Sequence, residues 1–352
     1  MRILITGGAG FVGSFLARSF RSLGSEVVVL DNLRRRGAEL NLADFQSLGI
    51  SFQHGDIRSA SDLDDLPGQF DLLVEASAEP SVHSGLTGSP CYVLGANLTG
   101  TLNCLEFARR RAGAMLFLST SRVYSIRPLL DLPIEKKGNR FVLPDGLNIR
   151  GISSRGITEA FPTESPRSFY GASKLASELV AMEYAFAYGM KIAINRCGVI
   201  AGPGQFGKVD QGVFTLWVAN HHFRKSLQYS GFGGLGLQVR DLLHPRDLFL
   251  LMQAQLAKLE AWNGDIFNVG GELGGSVSLR EMTDLCQEVS GNSIEITSNP
   301  STASVDIPYY VSDCAKVEQK FGWKPSLGPR AIVSEIYDWI RDRKSTRLNS
   351  SH

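Results

Sequence analysis

The stretch RILITGGAGFVGS, residues 2–14, decides the fold. Its apolar opening, Arg2 to Thr6, ends in Gly7-Gly8, and Gly10 and Gly13 follow at intervals of three as helical spacing begins at Phe11. A strand that turns over glycines into a helix gathers backbone N–H groups and the positive end of a helix dipole at one point. The missing side chains let an anion such as a pyrophosphate come close. A glycine triplet alone is weak evidence. Between a strand and a helix at the start of a chain it reads as a dinucleotide-binding turn, with Gly7, Gly10, Phe11, Val12 and Gly13 in contact with the ligand.

The alternation continues outward. Glu26–Leu30, Ser51–His54, Leu72–Glu75 and Ala114–Leu118 read as strands apolar on both faces, while Phe11–Leu23 and Pro90–Arg111 carry helical spacing. Repeated βαβ units predict an α/β protein with a doubly wound parallel sheet of the Rossmann kind. Residues 126–167 break the pattern with a polar stretch rich in Gly, Pro and Ser, an inserted loop of the sort that serves as a cover or a linker. Tyr170–Tyr188 resumes as helix and Lys191–Ile194 as strand; further helices are expected at Pro245–Leu259, Ser278–Ser290, Asp313–Phe321 and Pro329–Arg341. The expected domains are a dinucleotide-binding unit over 1–200 and a smaller, mainly substrate-binding C-terminal lobe over 201–341. Residues 342–352 (DRKSTRLNSSH) are polar and aperiodic and resemble a translated sequencing adapter, so they are set aside as a non-native tail.

Composition removes several classes. The 352 residues are 43% hydrophobic and 20% charged, enough to bury a full core. With 36 Lys+Arg against 35 Asp+Glu, the net charge of +1 gives no field for holding nucleic acid or an anionic membrane, so small molecules and like subunits are the expected partners. The five cysteines lack any CxxC pair, which argues against disulfides and structural zinc. No apolar run reaches the ~18 residues of a membrane helix, and Met1 leads into a strand without a signal-peptide pattern. A cytoplasmic protein is expected. The six histidines form no i, i+4 pair and no HExxH, and GxSxG is absent, so no metal site and no hydrolase elbow are expected.

Asp31 closes the second strand in VVVLDN, where a carboxylate accepts hydrogen bonds from an adenosine ribose and repels a 2′-phosphate. With the adjoining Asn32 it favours NAD over NADP. The Arg34-Arg35-Arg36 run is read as a solvated loop, with 2′-phosphate binding as the alternative. Asp56 and Ile57 follow the third strand where an adenine contact falls, although an Asp there is also a common turn residue.

Thr120, Tyr170 and Lys174 are the candidate catalytic residues. Tyr170 and Lys174 stand four apart in a helical segment and share one face. Thr120 ends a buried strand, the edge of a parallel sheet beyond which ligands bind. A phenol is a poor base at neutral pH; a nearby ammonium favours its phenolate, and a hydroxyl donor steadies charge on a substrate oxygen. That is hydride-transfer chemistry at a carbinol, with Tyr170 and Lys174 also touching the cofactor and Thr120 the substrate.

TGGAGFVGS, LDN at Asp31, HGDIR at Asp56, SAEPSV at 77–82, NLTGT at Asn97, STSRVY at Thr120, YGASK at Tyr170 and RDLLH at Arg240 together resemble the extended short-chain dehydrogenases/reductases of the NAD-dependent epimerase/dehydratase family, over nearly all of residues 1–341. DNLRRRG, the insertion before YGASK, GQFGKVDQGVF at 204–214 and QVRDLLH at 238–244 are most similar to its CDP-paratose 2-epimerases, also called CDP-tyvelose epimerases. The resemblance implies a sugar-nucleotide substrate and NAD that is required but not consumed. It implies that Arg240 clamps the substrate diphosphate, the alternative being a surface ion pair with Asp241. It makes Gln211 a substrate-pocket residue and sets Asn97 behind the nicotinamide side, or else as a helix-interior residue satisfied locally. A homo-oligomer through the Pro90–Arg111 and Tyr170–Tyr188 helices is also implied. Two departures stand out: Ser125 where a glycine commonly follows VY, and Val199 where many relatives carry Asn near the diphosphate. Dehydratases of the family carry an Asp-Glu pair after the catalytic Thr, whereas Thr120 is followed by Ser121 and Arg122. The expectation is epimerisation at C2 of a CDP-hexose through a keto intermediate, ahead of 4-epimerisation of a UDP-hexose. A non-catalytic dinucleotide sensor would have no need of Thr120, Tyr170 and Lys174.

Overall fold

The computed structural model describes residues 1–207 and 212–342. Seven strands form one sheet: β1 (Arg2–Thr6), β2 (Glu26–Asp31), β3 (Ser51–His54), β4 (Leu72–Glu75), β5 (Ala114–Thr120), β6 (Lys191–Cys197) and β7 (Ile266–Val269). Their order is β7-β6-β5-β4-β1-β2-β3, with every pair parallel. This is the expected doubly wound sheet. Every residue of β4 and β5 is buried because helices cover both faces. Ile3, Ile5, Val27, Val29 and Leu116 enter one core with Leu16, Ala17 and Phe20 of helix α1 (Phe11–Ser22). Leu4, Val28, Leu73, Met115 and Phe117 enter the other, with Cys104, Leu105 and Phe107 of α2 (Gly100–Arg111). The strand order reverses at β1, so the chains leaving β1 and β4 part and open a crevice at the carboxyl edge of the sheet.

The expected domain boundary near residue 200 needs correction. Helix α5 (Pro245–Leu256) lies well past it, yet Leu248, Phe249, Leu251 and Met252 pack into the α1 core, with Phe249 edge-on to Phe20 at 4.9 Å. β7 then adds the last strand to the sheet. The C-terminal lobe is therefore discontinuous. Its core joins α4 (Val213–Phe223), α6 (Leu279–Ser290) and α7 (Pro329–Asp342) through Phe214, Trp217, Met282, Ile332 and Ile336. Asp342, set with the tail from sequence, closes α7; residues 343–352 lie outside the described residues.

Residues 126–167 are neither cover nor linker. They contain two short antiparallel hairpins, Glu135–Lys137 with Arg140–Val142 and Ile152–Ser153 with Gly156–Ile157. Leu129, Leu132, Ile157 and Phe161 bury against Ile307 and Tyr310, and Phe141 and Leu143 pack on Val239 and Tyr309. The insertion fastens the lobe to the sheet domain by apolar contact, and no part of it lines the cleft.

Candidate active site

The glycine turn is dictated by close backbone approach. Gly7 has φ +65° and a Cβ there would sit 2.7 Å from the backbone of Ser77, the segment leaving β4. At Gly13 a Cβ would come within 2.3 Å of the Gly7 carbonyl. Gly10 caps α1 without a side-chain hydrogen bond, and the first turn holds no acidic residue, so the positive helix end faces the crevice uncompensated. Asp31 accepts from Ala9 N–H at 3.1 Å on Oδ2 and from Leu33 N–H at 2.8 Å on Oδ1. Burial pushes its carboxyl up, against those backbone donors. Asn32 donates to Asp56 Oδ2 at 2.8 Å, and Arg58 forks onto both Asp56 oxygens, so hydrogen bonding to Arg58 holds the carboxyl down at about 2. Arg34, read as solvated, is exposed, with its guanidinium 3.9 Å from the Tyr92 ring centroid. Ile57 is buried against Gly100, where a Cβ would meet it at 2.4 Å.

A large cleft, about 1190 Å³, gathers many of the expected residues: Gly7, Gly10, Phe11, Val12, Gly13, Thr120, Tyr170 and Arg240. Asp31, Asn32, Asp56, Ile57, Asn97 and Lys174 are not among its lining residues. Gln211 lies outside the described residues. The volume exceeds that of an ordinary single-ligand pocket and suits two nucleotides side by side.

Thr120 is the last residue of β5, and Tyr170 and Lys174 lie one turn apart on helix α3 (Phe169–Tyr188), which is capped by Ser168 accepting from Gly171 N–H at 3.1 Å. Gly171 is demanded by packing, since a Cβ would fall 2.1 Å from the Arg122 carbonyl. The Thr120 hydroxyl and the Tyr170 phenol both line the cleft. Burial pushes that phenol up to about 12, while Thr120 and the Arg122 charge pull it down. Lys174 is almost wholly buried, its Nζ 4.2 Å from the Phe117 ring centroid. Burial lowers its ammonium, and the Glu75 carboxylate opposes that.

Two buried carboxylates escaped the sequence reading. Glu75 ends β4 with no exposure; Oε1 accepts from Thr101 Oγ1 at 2.6 Å, Oε2 has no partner, and burial raises the carboxyl to about 7. Glu178, two turns after Tyr170 on the same face, is buried and gripped by Arg196 at 2.6–3.1 Å and by the hydroxyl of Ser119, the neighbour of Thr120. A carboxylate at the end of a buried strand, and another at i+8 from the Tyr, were the available signals. Asn97 is held by partners on other segments: it accepts from Glu79 N–H at 2.8 Å and donates to Glu79 O and Ser173 Oγ, both at 3.1 Å. It lies in a π-helical turn, Gly95–Thr99, that precedes α2 and leaves its carbonyl within hydrogen-bond reach of the Thr101 and Ser177 hydroxyls.

Arg240 does not bond to Asp241 as a surface pair would. Its guanidinium donates to the carbonyls of Val239 and Ile307 at 2.7 and 2.6 Å. Asp241 turns inward, accepting from Ser312 N–H at 3.1 Å, and burial raises it to about 6. Burial and the nearby Arg122 both disfavour the charge on Arg240, so the two guanidinium groups form a site that an incoming anion would relieve. Among the described residues no group of three or more His, Cys, Asp or Glu could hold a metal ion, and no helix is long and apolar enough to cross a membrane.

Residues 3–270 match the NAD dependent epimerase/dehydratase family. The chain is 31% identical to the CDP-paratose 2-epimerase of Salmonella typhi, over 96% of this chain and 99% of that one. It is 27% identical to a dTDP-glucose 4,6-dehydratase of Streptomyces antibioticus, over 98% and 94%. Its fold superposes on the UDP-glucose 4-epimerase of Thermus thermophilus in complex with NAD, with a TM-score of 0.76, 27% identity, and coverage of 97% and 100%. The reversal of strand order beside a glycine cradle, the Thr120–Tyr170 pair at the sheet edge and these likenesses agree: the chain belongs to the NAD dependent epimerase/dehydratase family.

Proposed function

We propose that this protein is a sugar-nucleotide epimerase that inverts C2 of a CDP-hexose. The observation that carries the reading is the setting of Thr120 and Tyr170 in a cleft where the two residues after Thr120 are Ser121 and Arg122, a hydroxyl and a cation. Loss of water needs a general acid and a general base beside the phenol. Removal and return of hydride at one carbinol needs only the phenol, its charge partner and a hydroxyl. The choice of C2 and of a CDP-sugar is supported by the likeness to the Salmonella epimerase.

The glycine cradle and uncapped α1 fit NAD. Gly7, Gly10, Phe11, Val12 and Gly13 would hold its pyrophosphate, and Asp31, whose oxygens keep free lone pairs beside Ala9 and Leu33 N–H, its adenosine ribose. When bound, NAD supplies a reversible hydride acceptor with a positively charged ring. Tyr170 as phenolate accepts the C2 hydroxyl proton, Thr120 donates to the same oxygen, and Lys174 keeps a positive charge beneath the site. Arg240, with its fixed fork of donors, holds the diphosphate. The 2-keto sugar then turns about that anchored end and presents its other face. Tyr170 returns the proton it took.

Asp31→Ala should weaken NAD binding ~10- to 100-fold and NADP binding less, the loss expected for hydrogen bonds to a charged group. Calorimetric titration of both cofactors checks this; equal losses would remove Asp31 as the ribose ligand. Association is proposed through α2 and α3, where Leu102, Leu179, Met182 and Phe186 are exposed, Phe186 at 88%. Light scattering should give at least a dimer, and Phe186→Asp a monomer; a monomeric wild type would remove this part.

The reaction is tested by incubating protein and NAD with CDP-paratose, CDP-tyvelose, UDP-glucose and UDP-galactose and following each sugar by proton NMR. Interconversion of the two CDP-sugars is expected. Inversion of a UDP-sugar at C4 with both CDP-sugars unchanged would overturn the assignment.

A further inference from the structure

Arg122 is not needed as acid or base in the reaction above, yet its place is tightly defined. Its backbone N–H donates to Thr120 Oγ1 at 3.2 Å, and its carbonyl presses on Gly171, the residue after Tyr170. Its Nη1 donates to the Val305 carbonyl at 3.2 Å, while Val305 itself packs with Tyr170, Val82 and Val93 in one apolar cluster. Arg122 and Tyr170 both line the cleft. We propose that Arg122 is a positioning residue for Tyr170: its guanidinium is the fixed positive charge against which the phenolate forms. This rests on the reading of Tyr170 as the acid–base group and not on the identity of the sugar.

The groups acting on the phenol come from every neighbouring element. Burial opposes a negative charge on the phenol most strongly, and Glu79, in the loop after β4, adds to that. Hydrogen bonding from Thr120, at the end of β5, and the Arg122 charge favour the ionised form, while the Cys197 thiol at the end of β6 is itself pushed up to about 12 by burial. Lys174 lies one turn further along α3 and faces Glu75, Glu178 and Phe117. Its charge is thus shared with two buried carboxylates, whereas the charge on Arg122 is disfavoured by burial, faces the like charge of Arg240, and is favoured by Asp306 and Tyr170. Asp306 sits between two pinned carbonyls, Val305 held by Arg122 and Ile307 by Arg240, so the same segment that aims Arg122 also covers the substrate side of the cleft. A cation beside a phenol favours the ionised form. Removing it must therefore raise the pH at which Tyr170 ionises, and the acid limb of the rate profile moves upward with it.

The test is a titration of the NAD-loaded protein by its ultraviolet phenolate band, with wild type, Arg122→Gln and Arg122→Lys each measured with and without Tyr170→Phe, so that the difference reports Tyr170 alone. The Tyr170 midpoint should rise by about one pH unit or more in Arg122→Gln and stay near the wild-type value in Arg122→Lys. The acid limb of kcat/KM should move by the same amount, with circular dichroism unchanged. Coincident midpoints for wild type and Arg122→Gln would overturn the proposal. So would a wild type whose Tyr170 does not ionise below the range of an ordinary tyrosine. Failure of every nucleotide sugar to react, with the displacement intact, would count against the proposed reaction and leave the role of Arg122 standing.

Discussion

Tyr170→Phe should lower the epimerisation rate by about 10²- to 10⁴-fold, the range that a positioned acid–base group supplies. The substitution removes one oxygen. The ring keeps its packing with Val82, Val93 and Val305, so folding and cofactor affinity should change little. The size of the effect follows from the environment of the phenol. In the protein without ligands burial holds it at about 12, so it works only when charge nearby draws it down. Rates by NMR and NAD affinity by calorimetry would be compared in the same preparations. A variant within a factor of two of the wild type would remove Tyr170 from the chemistry.

Glu178→Ala should be the most damaging single change to stability, about 3–5 kcal/mol, because it leaves Arg196, only 5% exposed, as an unpaired buried charge. Glu178 has no exposure and accepts from Arg196 in three contacts as well as from Ser119. For 352 residues, an unfolding entropy of about 2.1 cal/mol/K per residue converts that loss to a Tm lower by about 4–7 °C. Activity should fall too, since Ser119 precedes Thr120. Glu178→Leu combined with Arg196→Met should regain most of the stability, both charges leaving together. A single variant that melts within a degree of wild type would mean that the pair is hydrated in solution.

The sheet's first half was legible because its apolar runs and glycine punctuation are local signals: β1, β3 and β4 have the bounds expected. β5 and β6 run further than the apolar pattern, to Thr120 and Cys197, because their polar ends are satisfied by partners distant in sequence. Ser119 bonds Glu178, and Asn195 exchanges two hydrogen bonds with Gln255 of α5, at 2.9 and 3.0 Å. β7 was missed for a related reason. It is four residues long and its place in the sheet depends on α5 returning to α1, a contact that no local pattern announces. The hairpins of the insertion depend on the lobe surface in the same way. Spacing joined to its strand and glycine-loop context pointed to Tyr170 and Lys174, and strand position to Thr120. The setting of Arg122 hangs on a carbonyl 183 residues away, and that of Glu75 on Thr101 and the buried Lys174.

The claim that hydride leaves C2 and returns to it is tested most directly by running the CDP-paratose reaction to equilibrium in deuterium oxide and examining C2 of the CDP-tyvelose formed. The account predicts inversion at C2 with no solvent deuterium at that carbon, because the hydrogen never becomes a proton. One deuterium at C2 of the inverted sugar would mean deprotonation and reprotonation, and would contradict it.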